Sequence, residues 1–220
     1  MGGYAPAGTI LTEVTEEKDI GVIVHNSLKP SLQCAKAATK ANQVLGQMSR
    51  SVHYRDKIVW IGLYRTFVRS HLETCVQAWS PWTKRDCDLL ERVQKRAVNM
   101  VVGLRASSYT EKLKEVGLTL LTARRVRGDD IQVWKYLHGH TPHSPTLFRP
   151  ACNQHERETR HTKQSFNLAR VNSHLEIRKN FFTVRCVEEW NRVPHCVQSL
   201  EDLNEFKNEY DKFLRDSHVC

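Results

Sequence analysis

A mainly α fold, a helical bundle with a small N-terminal β element and a long polar loop, is what this sequence predicts. Three observations predict it. Apolar residues recur at steps of three and four over most of the chain, β-branched residues form short runs only near the start, and the stretch 138–171 is rich in His, Arg and Pro without a period. At 220 residues and 40% hydrophobic content, the chain has room for one larger or two small domains with a real core.

Near the start, Thr9 to Val14 (TILTEV) and Ile20 to Val24 (IGVIV) read as two strands about a charged turn, Glu16 to Asp19. The period then becomes helical. Leu32, Ala35, Ala38, Ala41, Leu45 and Met48 form the apolar stripe of a first helix that ends near Ser49 to Ser51. From Asp56 to Ala78 the spacing predicts one continuous helix whose apolar face is Ile58, Ile61, Tyr64, Phe67, Val68, Leu72, Cys75, Val76 and Trp79. Ser80-Pro81 stops it.

Thr83 is placed to cap the next helix, with Asp86 three residues on to reach back, and Gly103 ends it. Its stretch LLERVQKRAVNMVVGL sets Leu89, Leu90, Val93, Ala97, Met100 and Val101 on one side and Arg92, Lys95 and Arg96 on the adjoining one. Alone, that basic flank reads as an ordinary solvated face. Ser108 with Glu111 predicts a capping box, and Thr122 to Leu137 a helix that buries Val126, Val133, Trp134 and Leu137. Helical spacing returns in Ile177 to Trp190 and in Leu200 to Leu214, the latter with Ser199 as N-cap.

Charge is unevenly spread. The net +9 divides into −2 over residues 1–30, +8 over 31–110, +3 over 111–150, +4 over 151–185 and −4 over 186–220. A basic middle favours polyanionic partners. Seven cysteines, odd in number, widely spaced and without a CxxC pair, suit a reducing compartment, and Met1 to Gly8 lacks the form of a secretory leader. No apolar run approaches the roughly 18 to 20 residues of a membrane span. These features predict a soluble, intracellular protein of cytoplasm or nucleus, not secreted and with no membrane partner.

Three kinds of active site are open to test. Gly128-Asp129-Asp130 resembles the metal-binding hairpin of viral RNA polymerases, but that hairpin needs apolar strands on both sides and a further upstream Asp. Here a helical pattern with Arg124, Arg125 and Arg127 runs through it, which reads as a polar patch on a helix. His138, His140, His143, Cys152, His155 and His161 carry zinc-ligand chemistry but none of the recognised finger spacings. His71 and Cys75 read as core packing. No cysteine has a nucleophile signature, and neither GxGxxG nor GxxxxGK[ST] occurs.

Six strings in order resemble one known family: EEKDIGVIV (Glu16 to Val24), KAATKANQVLG (Lys36 to Gly46), LYRTFVRSHLETCVQAWSP (Leu63 to Pro81), LLERVQKRA (Leu89 to Ala97), RRVRGDDIQVWKYL, and FFTVRCVEEWNRVP (Phe181 to Pro194). They are similar to the region after the polymerase palm in LINE-type, non-LTR retrotransposon reverse transcriptases of the jockey-like kind. The resemblance implies three parts: palm strands over 1–30, a helical thumb-like domain over 31–140, and a polar basic loop with C-terminal helices over 141–220.

It also implies a non-catalytic chain, because the palm's metal-binding Asp residues would precede Met1. No cofactor is expected of this part, since Mg²⁺ would belong to the palm. What the resemblance leaves is sequence-independent binding of RNA or DNA, as primer–template, by backbone contacts. The candidate residues are Lys36, Lys40, Arg65, Arg69, Arg92, Lys95 and Arg96, with Arg124, Arg125 and Arg127 as a second cluster. Trp60, Trp79, Trp82 and Trp134 read as core rather than base-stacking platforms. The alternatives are a helical module that binds a protein partner, the rest of a reverse transcriptase or a second copy of itself, or a fragment without selected function.

Overall fold

The computed structural model describes residues 13–104, 108–141, 147–151 and 166–217. The fold is mainly α with one small two-stranded sheet. It divides into two compact units, Met1–Val116 and Gly117–Cys220. That division differs from the expected one at residue 140, because the helix over 121–137 has its partners further along the chain.

The N-terminal unit begins with a hairpin of β1 (Glu16–Asp19) and β2 (Val22–His25), antiparallel with Glu16 opposite His25 and Asp19 opposite Val22. The segment expected as the turn is therefore a strand. The reversal is Ile20-Gly21, both at positive φ (45° and 87°), as a two-residue hairpin turn requires. The expected strand from Thr9 lies largely outside the described residues, and Glu13–Thr15 is not a strand. The Ile23 backbone N–H donates to Gln33 Oε1 at 2.9 Å, which ties the hairpin to the first helix.

Ile20 is a β-branched residue in a left-handed conformation and is 87% exposed, so it gains no burial in return for its strain. Replacing it with Asn, which tolerates that conformation, is expected to stabilise the unit by about 1 kcal/mol in urea denaturation. A loss of stability would count against the turn geometry.

The first helix, α1 (Ser31–Ser51), buries Cys34, Ala37, Ala38, Ala41, Leu45 and Met48. Leu32 and Ala35, expected inside, are exposed. The expected single helix from Asp56 to Ala78 is broken twice. After α2 (Lys57–Leu63) comes a π-helical turn, Tyr64–Val68, then α3 (Arg69–Glu73) and α4 (Val76–Trp79). The π turn takes up one extra residue, so Tyr64, Val68 and Leu72 all point inward while Phe67 turns out. Cys75, left-handed at φ 55°, makes the second break and is exposed. Ile58 is also exposed, and buried Trp60 takes its expected place, its indole N–H donating to the Ala97 carbonyl at 2.8 Å.

Next, α5 (Lys84–Asn99) buries Leu90, Val93, Gln94, Ala97 and Val98. Thr83 caps it as expected, accepting from the Asp86 N–H. The Asp86 carboxylate goes elsewhere, accepting the Ser31 hydroxyl at 2.7 Å and so joining α5 to α1. Fully buried Gln94 accepts from the Tyr64 hydroxyl at 2.9 Å and donates to Glu91 and Tyr109, so its desolvation is offset. The capping box of Ser108 and Glu111 is present on α6 (Tyr109–Glu115).

The C-terminal unit contains α7 (Leu121–Leu137), α8 (Glu176–Lys179), α9 (Phe182–Trp190), α10 (His195–Gln198) and α11 (Leu203–Ser217). Its core gathers Trp134, Phe182, Val187, Trp190, Phe206 and Tyr210 among others. Both tryptophans donate their indole N–H, Trp134 to the Leu200 carbonyl at 3.0 Å and Trp190 to that of Phe166 at 2.8 Å. Where a structureless loop was expected, Pro150 pairs antiparallel with Leu168.

The expected helix over 177–190 breaks at Asn180-Phe181, and the last helix starts later than Leu200. Asp202, not Ser199, caps it, accepting from the N–H groups of Asn204 (2.7 Å) and Glu205 (2.8 Å). Among the described residues, no helix is long and apolar enough to cross a membrane.

Candidate nucleic-acid interface

Burial of one side of α5 leaves Lys84, Arg85, Asp88, Arg92, Lys95, Arg96 and Asn99 exposed on the other. This outward face thus carries five cations and one carboxylate. Glu91, the remaining acid of its middle, is half-buried and accepts the Tyr109 hydroxyl and the Gln94 amide. Burial and the hydrogen bond to Glu91 push the Tyr109 phenol well above its ordinary pKa, so it stays a neutral donor. Lys95 Nζ lies 5.7 Å from the centre of the Tyr109 ring, a cation–π contact that leaves the ammonium at the surface.

One α5 cation reaches α1. Arg96 Nη1 donates to Asn42 Oδ1 at 3.3 Å, which places Arg96 beside the Asn42 flank of α1. Lys36, Lys40 and Arg50 are also exposed on α1, but Lys36 and Lys40 lie on its other flank, lining a hollow with Ile20, Gly21, His71 and Thr74; no acidic residue occurs between Ile20 and Arg55. Sequence reasoning missed Lys84, Arg85 and Arg50. For Arg50 the signal was that acid-free run.

Other candidates fare differently. Arg65 is exposed and Arg69 pairs with Glu73 at 3.6 Å. Arg125 is only 4% exposed, and Arg127 is held by Asp211 through two hydrogen bonds of 2.6 and 2.9 Å. Arg124 is half-buried. The second cluster is therefore not an open cationic surface but part of a charged layer within its own unit. The supposed polar patch of Asp129 and Asp130 is likewise buried: Arg185 donates to Asp129 at 2.9 and 3.2 Å, and the Tyr210 hydroxyl donates to Asp130.

Of the zinc candidates, His138 stacks on Trp134 at 4.3 Å and bonds its carbonyl through Nδ1, and His140 stacks on the same indole at 4.9 Å. Burial lowers the His138 pKa, which favours the neutral ring. His143, Cys152, His155 and His161 lie outside the described residues. Among the described residues no group of three or more His, Cys, Asp or Glu is arranged to hold a metal ion. Cys75, expected in the core, is exposed, and His71 is half-buried. Trp60, Trp79 and Trp134 are buried, and Trp82 is half-buried.

Comparison with protein-family models, with curated proteins and with solved structures finds no match to this chain.

Proposed function

We propose that this chain is a nucleic-acid-handling module of the reverse-transcriptase thumb kind, which grips the backbone of an RNA or DNA duplex without reading its sequence. The observation that carries the reading is the outward face of α5, which exposes Lys84, Arg85, Arg92, Lys95 and Arg96 against the single exposed carboxylate of Asp88; Lys36, Lys40 and Arg50 add exposed cations on the acid-free α1. Backbone phosphates are met by exposed, mobile cations on a rigid support, and α5 supplies the support through its buried stripe. The family resemblance of the six strings points the same way. On this reading the polymerase's metal-holding carboxylates belong to a palm, and the chain alone incorporates no nucleotide.

The test is fluorescence anisotropy of the full chain on a primer–template hybrid across a salt series. Engagement of five or six phosphates gives a slope of log affinity against log salt near −5, at about −0.9 per contact. The combined change Arg92→Glu, Lys95→Glu and Arg96→Glu is expected to abolish measurable binding with little effect on folding, since all three are exposed. Salt-independent affinity, or nucleotide incorporation above background, would overturn the reading.

A further inference from the structure

We propose that the C-terminal unit binds a small carboxylate with a benzene-sized apolar body in the cavity between the Pro150–Leu168 pairing and α9. The inference stands apart from the nucleic-acid reading, which concerns the other unit. The cavity holds about 180 Å³. Its walls include Phe148, Leu168 and Val187, all buried side chains of the core. A cavity of about 150 Å³ is enough to admit benzene, so this one has room for a phenyl ring or a branched alkyl group of similar size.

The walls are fixed before any ligand arrives. Ala169 N–H donates to the Arg149 carbonyl at 2.8 Å and Ala151 N–H to that of Asn167 at 2.9 Å. Asn191 then clamps Leu168 on both backbone groups: its Oδ1 accepts the Leu168 N–H at 2.9 Å and its Nδ2 donates to the Leu168 carbonyl at 2.8 Å. A preformed wall spares the ligand the entropy of ordering it.

The lining also supplies the head-group chemistry. Arg149 and Arg178, both exposed residues, bring two guanidinium groups to the lining, and among the described residues that line the cavity there is no carboxylate. Arg178 is steadied over the Phe181 ring at 5.4 Å. Thr183, nine-tenths buried, brings a hydroxyl-bearing side chain to the lining. A partly open cavity with apolar walls beside two cations and a hydroxyl suits an apolar body carrying one anionic group, and the guanidinium fork matches a planar carboxylate. Such a group occurs in a free aryl or alkyl acid and at the C-terminal residue of a peptide.

Titration calorimetry of the full chain tests this with phenylacetate, its neutral isostere phenylacetamide, and a short peptide ending in Phe as free acid and as amide. Saturable binding of phenylacetate, about tenfold or more tighter than the amide, is expected. Binding of the free-acid peptide in preference to phenylacetate also supports the site and assigns its ligand to chain termini. The double variant Arg149→Gln, Arg178→Gln should weaken either acid by about tenfold, and Ala169→Leu, which fills the cavity, should abolish binding. Should Ala169→Leu fail to fold, the two exposed arginines still decide the matter. Absence of binding by both acids, or equal binding of acid and amide, overturns the proposal.

Discussion

Asp129→Ala is expected to destabilise the C-terminal unit by about 3 to 5 kcal/mol, a large share of the roughly 5 to 15 kcal/mol that holds a domain folded. Asp129 is 6% exposed and receives both Nε and Nη2 of Arg185, whose side chain is itself only 17% exposed. Burial raises the Asp129 pKa, while the Arg185 hydrogen bonds, its charge and that of Arg125 oppose the rise. Arg125 deepens the dependence: it is buried, and both its Nη atoms lack hydrogen-bond partners. Removing the carboxylate would strand two guanidinium groups out of water. Urea denaturation followed by Trp fluorescence measures this, and a cost under about 1 kcal/mol would show the pair to be solvent-relaxed. Asp129→Leu with Arg185→Met should recover much of the loss, because the buried charge and its partner leave together.

Neighbouring Asp130 should make the same unit lose stability as pH rises from about 4 to about 7. Its carboxyl is fully buried, and burial, the nearby Asp129 and Glu189 charges and the desolvated site push its pKa up from 3.8 to about 7 against the opposing hydrogen bond from Tyr210. With the folded pKa above the unfolded one, the folded state binds the extra proton. Stability is therefore full below the unfolded pKa and is lost as pH rises through the folded one, by about 4 kcal/mol. Asp130→Asn keeps the acceptor for Tyr210 but cannot ionise. It is expected to match the parent chain near pH 4 and to exceed it at pH 8. Melting temperatures across that range decide, and parallel curves for the two proteins would refute the assignment. His138, whose pKa is lowered by burial, acts in the opposite direction and weakens the fold as pH falls below about 6.5.

These two carboxylates also show where sequence reading stops. The apolar stripe of α5 and its cap at Thr83 were legible because their causes are local: helical period and a side chain three residues from the N–H it accepts. The outward Arg92, Lys95 and Arg96 followed from the same geometry. In α7 the period was equally clear, yet Arg125, Asp129 and Asp130 read as solvated, because their fate depends on residues such as Arg185 and Tyr210, 56 and 80 positions away. Spacing along one helix holds no trace of such partners. The breaks at Tyr64–Val68 and Cys75 were hidden for another reason, since neither carries the Gly or Pro that usually marks one. The hairpin turn was expected at Glu16–Asp19 instead of Ile20-Gly21 because four charges in a row look like a loop, whereas an isolated two-stranded sheet exposes even its strands to water.

The long reach of α7 has a consequence for the chain while it is being made. Unit one closes on itself through links such as Ser31 to Asp86 and Asn42 to Arg96, all available once residues up to Val116 have emerged. Arg127 must wait for Asp211, 84 residues later, and Asp130 for Tyr210. At about 5 to 20 residues per second, that is on the order of ten seconds of translation. Throughout it a nascent helix displays its aspartates and arginines to water beside Val133 and Trp134, which have no core to join. The ribosome therefore releases a basic domain already folded, trailing a segment whose folding hangs on a helix about 80 residues further along the chain.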